Sequence, residues 1–195
     1  MKTAVLDTGV IISLIDRRDE TKMANAKALY KILVEKNVRV VYSQRTKYEL
    51  IEDPRIEARI KSGEINFRAR EEFLQNHTML PYYVGNETWG QCIGTWDNIG
   101  SLWGGGLKPS PDSIETEVTT HNRIQSYLKK QKDLKDQGIL LDAVFSKCDY
   151  FIHENPKDFG KISDEFWREF KLKEINHLSM SAEELILLFT PYGSI

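Results

Sequence analysis

The chain has 195 residues, enough for one domain with a substantial core, and at 41% hydrophobic and 29% charged it is ordinary globular material. A net charge of −2 excludes an overall basic coat for nucleic acid and leaves only a local basic patch for that purpose. No apolar run reaches the roughly 18 residues of a membrane span, the N-terminus lacks a signal-peptide layout, and Cys92 and Cys148 have no partners at metal-ligand spacing, so the expectation is a reduced, cytoplasmic chain with no membrane partner.

In chain order, residues 2–14 (KTAVLDTGVIISL) join one short apolar run to a second through an acid. Val5 and Leu6 predict a buried strand, Thr8 a helix cap, and Val10, Ile11, Ile12 and Leu14 the first turns of the helix. Asp7 then stands at the carboxyl end of the first strand, the edge where open α/β sheets bind ligands; its plainer role would be to cap the helix. Residues 23–36 repeat Ala24, Ala28, Leu29, Ile32 and Leu33 at helical spacing, and residues 38–42 (VRVVY) predict a second strand. Strand–helix–strand implies a parallel sheet. Ser43 caps a following helix that carries Glu49 near its start, either on the same edge as Asp7 or as an ordinary exposed glutamate.

Pro54 ends that helix, and residues 55–76 predict two short helices hinged at Gly63. Residues 80–84 (LPYYV) predict a third strand with Pro81 at its start. Residues 85–109 differ from the rest. Trp89, Trp96 and Trp103 fall seven apart among glycines at 85, 90, 94, 100 and 104–106, too many for a stable helix. This Gly/Trp-rich insertion within a single domain spanning 1–195 either pins its tryptophans to the body or stacks them, Trp96 among them, on bases of a single strand.

Ser110, Pro111 and Asp112 start a helix running to about residue 132. Its later part carries Arg123, Lys129, Lys130 and Lys132, a solvated face or a cradle for a phosphate backbone. Residues 136–147 predict a helix, 149–153 (DYFIH) a buried strand and 173–178 a last short strand. Ser181 with Glu184 forms a capping box before a helix over residues 183–189.

The acids at strand ends and adjoining helix starts are Asp7, Glu49, Asp136 or Asp142, and Glu154 beside Asn155. Clustered oxygen ligands suit Mg²⁺ or Mn²⁺, which polarise phosphoryl oxygens and activate water. With this ordering, the stretches LDTGVII, SQRTKYELIED and DQGILLDAVFSKCDYFIHENPKDF resemble the PIN-domain nucleases, a family that includes the toxin halves of toxin–antitoxin pairs. The resemblance runs from the first strand to Phe159 and leaves out the insertion. It implies a three-layer α/β/α sandwich around a central parallel sheet and a metal-dependent endoribonuclease that hydrolyses RNA with Mg²⁺ or Mn²⁺. Asp7, Glu49 and Asp136 match the catalytic, metal-binding acids, with Glu154 and Asn155 completing the metal shell. Lys129, Lys130 and Trp96 are the expected RNA contacts.

Asp142 competes with Asp136 for the third acid; six residues apart on a helix, they stand about 120° from one another, so only one would face a metal. Where the family usually has Thr-x-Asp, this chain has His153-Glu154-Asn155. That departure removes an acid and opens an alternative, a PIN-like module that binds RNA or a protein partner without cutting. An antitoxin or a second copy of the chain are the other expected partners. Asp7-Thr8-Gly9 also matches the aspartic-protease triad, but Val10 opens a helix here. A dehalogenase-type phosphatase would need an acid where Gly9 stands, and a P-loop enzyme a GK[ST] element that the chain lacks.

Overall fold

The computed structural model describes residues 1–16, 19–80, 111–128, 134–157 and 159–190. Within them β1 (Thr3–Leu6), β2 (Arg39–Tyr42), β3 (Thr78–Met79), β4 (Tyr150–His153) and β5 (Lys173–Asn176) form one sheet. The order is β3-β2-β1-β4-β5, and every neighbouring pair is parallel. Strand side chains alternate between two faces, and both are buried. Ala4, Leu6, Val40, Tyr42, Tyr150 and Ile152 meet α1 (Thr8–Ile15), α2 (Glu20–Glu35), α5 (Phe67–Asn76) and α9 (Ala182–Phe189). Val5, Val41 and Phe151 meet α6 (Pro111–Leu128), α7 (Leu134–Phe145) and α8 (Asp164–Glu169). Parallel strands need crossovers, and the crossovers cover both faces. The protein is therefore α/β with an all-parallel sheet, an arrangement compatible with the expected three-layer sandwich.

Three helix-to-strand junctions share one device. Asn37, Lys147 and Lys171 have φ of 53°, 52° and 51°, each just after a helix that leads into β2, β4 or β5. A single left-handed residue there stops the helix and turns the chain back along the sheet. Gly63, at φ 76°, does the same between α4 (Ile56–Lys61) and α5, as its expected hinge role requires. Ser181 and Glu184 form the expected capping box at the start of α9.

β3 covers Thr78–Met79 and the Leu80 N–H bonds to the Tyr42 carbonyl at 2.8 Å; the rest of the strand expected over residues 80–84 lies outside the described residues. One local expectation is corrected. Asp7, not Thr8, occupies the N-cap position of α1, and Thr8 is already helical. Residues 81–110, with the insertion and Trp96, lie outside the described residues, as do Lys129 and Lys130. Among the described residues no helix is long and apolar enough to cross a membrane.

Candidate functional site

Asp7 extends β1 by one residue, its N–H donating to the Ile152 carbonyl of β4 at 2.9 Å. Its side chain makes no capping hydrogen bond and is 7% exposed. A polar residue at an N-cap usually spends its oxygen on the helix's first N–H groups, so capping does not account for this one. Register sets Leu6 beside Ile152, which brings Asp7 and the residues after β4 to the same edge of the sheet. Gly9 lies between the two. A methyl group added there would stand 3.3 Å from Asp7 Oδ2, 3.2 Å from Glu154 Oε1 and 3.0 Å from Glu154 Cγ. The two carboxylates thus face one small space that the missing side chain of Gly9 leaves open.

Glu49 reaches this edge from β2. Ser43 accepts the Thr46 N–H at 3.0 Å and starts α3 (Gln44–Lys47), which continues into a π-turn over Tyr48–Glu52, closed by Asp53 N–H to Tyr48 O at 2.8 Å. Such wide turns insert one residue into a helix and rotate the residues after it, and they recur at functional sites. Glu49 is the second residue of this one, and the Thr8 hydroxyl donates to its Oε2 at 2.6 Å. Thr8 immediately follows Asp7, so a single peptide links the two acids' supports. Behind the π-turn, Arg70 of α5 pairs with Asp16 at the end of α1, and its Nη1 donates to the Leu50 carbonyl at 2.8 Å. Arg70 is 1% exposed and Asp16 3%.

Glu154 is held on several sides. The Ser13 hydroxyl donates to Oε2 at 2.8 Å, His177 Nε2 stands 3.6 Å from the same oxygen, and Lys22 Nζ lies 3.6 Å from Oε1. Burial alone would push the carboxyl's pKa up; His177, Ser13 and Lys22 outweigh it, and the group titrates below its ordinary 4.5. A depressed carboxylate stabilises the fold above its unfolded pKa and loses that contribution as pH falls through the folded value. The difference in unfolding free energy between wild type and Glu154→Gln is therefore expected to hold down to pH 4.5 and to fade only in stronger acid. Urea titrations across that range measure it, and a difference already absent above 4.5 would contradict the assignment.

The other expected site residues divide. Asn155 follows Glu154, and its N–H donates to His153 Nδ1 at 3.1 Å. Because Nδ1 accepts, the ring proton sits on Nε2 and goes to Glu174 Oε1 at 2.8 Å. His153, fully buried, thus fixes the turn that carries Glu154 and Asn155. Asp136 falls in the first turn of α7, the end of that helix where the chain sets out from the carboxyl edge of the sheet; its side chain lies outside the described residues. Asp142 is fully buried about 9 Å further along the same helix. Its charge acts on Cys148, which precedes β4 at the opposite edge and whose thiol is pushed up to about 12 by burial, then by Asp149 and Asp142. Among the described residues no three His, Cys, Asp or Glu side chains are close enough to form a metal site by themselves.

Sequence reasoning missed Thr8, Ser13, Lys22 and His177 as supports. Ser13 left a trace, as the one hydroxyl in the apolar run VIISLI, four residues from Gly9 and so on the same helical face. His177 left none, since it arrives from the end of β5. Gly9→Ala tests the space directly. Alanine favours a helix by about 0.8–1 kcal/mol over glycine, which offsets the crowding of Glu154, so stability is expected to stay within about 1 kcal/mol of wild type. The added methyl displaces a carboxylate, and misplacements of about 1 Å in a reacting constellation cost on the order of a hundredfold. In an assay of the metal-dependent RNA cleavage expected from the sequence, Gly9→Ala should fall at least about tenfold below wild type at an unchanged denaturation midpoint. Equal cleavage by both proteins would remove the space from the site. Comparison with protein-family models and with curated proteins finds no match to this chain.

Proposed function

We infer that the protein is a divalent-metal-dependent ribonuclease of the PIN type that hydrolyses RNA phosphodiester bonds. The observation that carries this reading is the pairing of Asp7 and Glu154, from opposite ends of the chain, across Gly9. They meet where β1 has β2 on one side and β4 on the other, the switch point at which open parallel sheets form their ligand crevice. Glu49 joins the same edge through Thr8, and Asp136 opens α7.

The donors are of the kind that Mg²⁺ or Mn²⁺ takes. They are hard carboxylate oxygens, two of which, Asp7 Oδ2 and Glu154 Oε1, stand 3.3 and 3.2 Å from where a methyl group on Gly9 would be. Asp7, Glu49, Asp136 and Glu154, with the Asn155 amide, would hold the ion, which when bound supplies positive charge to the phosphoryl oxygens and makes water a better nucleophile. The chain's own residues do the positioning. Thr8 and Ser13 each commit one carboxylate oxygen of Glu49 and Glu154 to a hydroxyl, fixing the rotamers, and His153 locks the backbone turn beneath. Preorganised acids need not reorient during the reaction, which is the main way such sites lower a barrier.

The test is cleavage of an end-labelled single-stranded RNA with Mn²⁺ or Mg²⁺ against an EDTA control. Cleavage in the metal and none in EDTA is the expected result. Lys22 favours one other reading, because it already sets a positive charge beside Glu154 Oε1. If RNA is bound with and without metal but never cut, the chain is a PIN-like binding module.

A further inference from the structure

Among the described residues, three cations around the acid edge are committed. Lys22 pairs with Glu154, Lys47 with Glu52 at 2.8 Å, and Arg55 clasps both oxygens of Asp53. Arg45 differs. Among the described residues it has no carboxylate partner, and its guanidinium lies over the ring of Tyr48, 5.8 Å from the centroid. Arg45 is the second residue of α3, beginning where β2 ends at the carboxyl edge, and Glu49 follows it by four positions. Tyr48, partly exposed, directly precedes Glu49 in the π-turn, so the stacked guanidinium and ring stand immediately ahead of an acid of the site. Just beyond them is Arg55, 76% exposed, whose proton is held chiefly by Asp53 and at longer range by Tyr48 and Glu49.

We propose that Arg45 and Tyr48 form a nucleotide-binding step for single-stranded RNA beside Glu49, with Arg45 taking a backbone phosphate and Tyr48 stacking on the adjoining base. The assignment rests on the ribonuclease reading above and deepens it by naming where the strand is held. Physical chemistry favours this pair for that task. A chain of net charge −2 with acids at its site repels a polyanion, so an approaching strand needs a local cation free of a competing carboxylate. Guanidinium groups bind phosphate through paired N–H donors, and aromatic rings stack on any base, giving affinity without sequence preference.

The experiment is fluorescence anisotropy of a labelled 12-nucleotide single-stranded RNA in EDTA, across a salt series, with KM for cleavage in Mn²⁺ as the second readout. Arg45→Gln is expected to weaken binding several-fold at low salt and to flatten the log–log salt slope by about 0.7, the value for one phosphate contact on a single strand. Tyr48→Leu should weaken binding at least about fivefold with the slope unchanged. Tyr48→Phe keeps the ring and restores most of the affinity, and circular dichroism confirms the fold of each variant. KM should rise in step with the loss of binding. If wild type binds or cuts RNA and Arg45→Gln and Tyr48→Leu match it in affinity, slope and KM, the step is overturned and the ribonuclease reading stands. If wild type neither binds nor cuts, both fall.

Discussion

Asp7→Asn is expected to lower metal-dependent RNA cleavage by at least about a hundredfold, because even groups that only orient a metal ligand are worth about 10- to 100-fold. The substitution keeps the shape of the side chain and removes one negative charge from a pair of carboxylates that face a common space. Like charges brought together repel, and water is largely excluded from Asp7, so screening is weak. The thermal midpoint, measured alongside, establishes whether the variant is folded. The two readouts together are decisive. A variant that is inactive because it is unfolded would show a lowered midpoint, and undiminished cleavage by a folded variant would take Asp7 out of the reaction.

Arg70→Met is expected to cost about 3–5 kcal/mol, since it leaves the Asp16 carboxylate buried without its counter-charge. In a chain of this size each kcal/mol lowers Tm by about 2–4 °C. The double change Asp16→Leu with Arg70→Met should recover most of the loss. Arg70 Nε is buried without a hydrogen-bond partner among the described residues, so the native pair is itself incompletely satisfied. Chemical denaturation of the four proteins in a double-mutant cycle gives the coupling directly. A single-variant loss under 1 kcal/mol would mean that the brace does not hold α1, the π-turn and α5 together. Because Arg70 also grips the Leu50 carbonyl, next to Glu49, residual activity in the single variant reports on the site's dependence on that brace.

The strands β1, β2 and β4 were legible from their apolar runs, because a strand buried on both faces must be apolar throughout. The edge position of Asp7 followed from the strand before it and the helix after it. Thr78 and Met79 of β3, both exposed, carry little pattern to read, and residues 81–84 of the expected strand LPYYV lie outside the described residues. Glu49 could be assigned to a helix but not to a π-turn, since an extra residue in a helical ladder depends on what packs behind it, here Arg70 on the Leu50 carbonyl. The Ser13–Glu154–His177 set joins residues that no local pattern connects. Asp16 and Arg70 stand 54 positions apart, and only the fold reveals that they are buried together.

The sheet order also has a consequence for the timing of assembly. β1 forms at the very start of the chain, yet one of its two neighbours is β4, and the Thr3 N–H bonds to Asp149 across 146 positions. Closing so long a loop is slow, because its entropy must be spent before the contact repays it. A ribosome-bound fragment that has made β1, β2 and β3 holds Asp7 and Glu49 but leaves one edge of β1 open. Glu154 arrives only when that edge is filled. The acids come together as the last central strand docks, so any cutting activity begins with completion of the sheet and not with synthesis of the first motif.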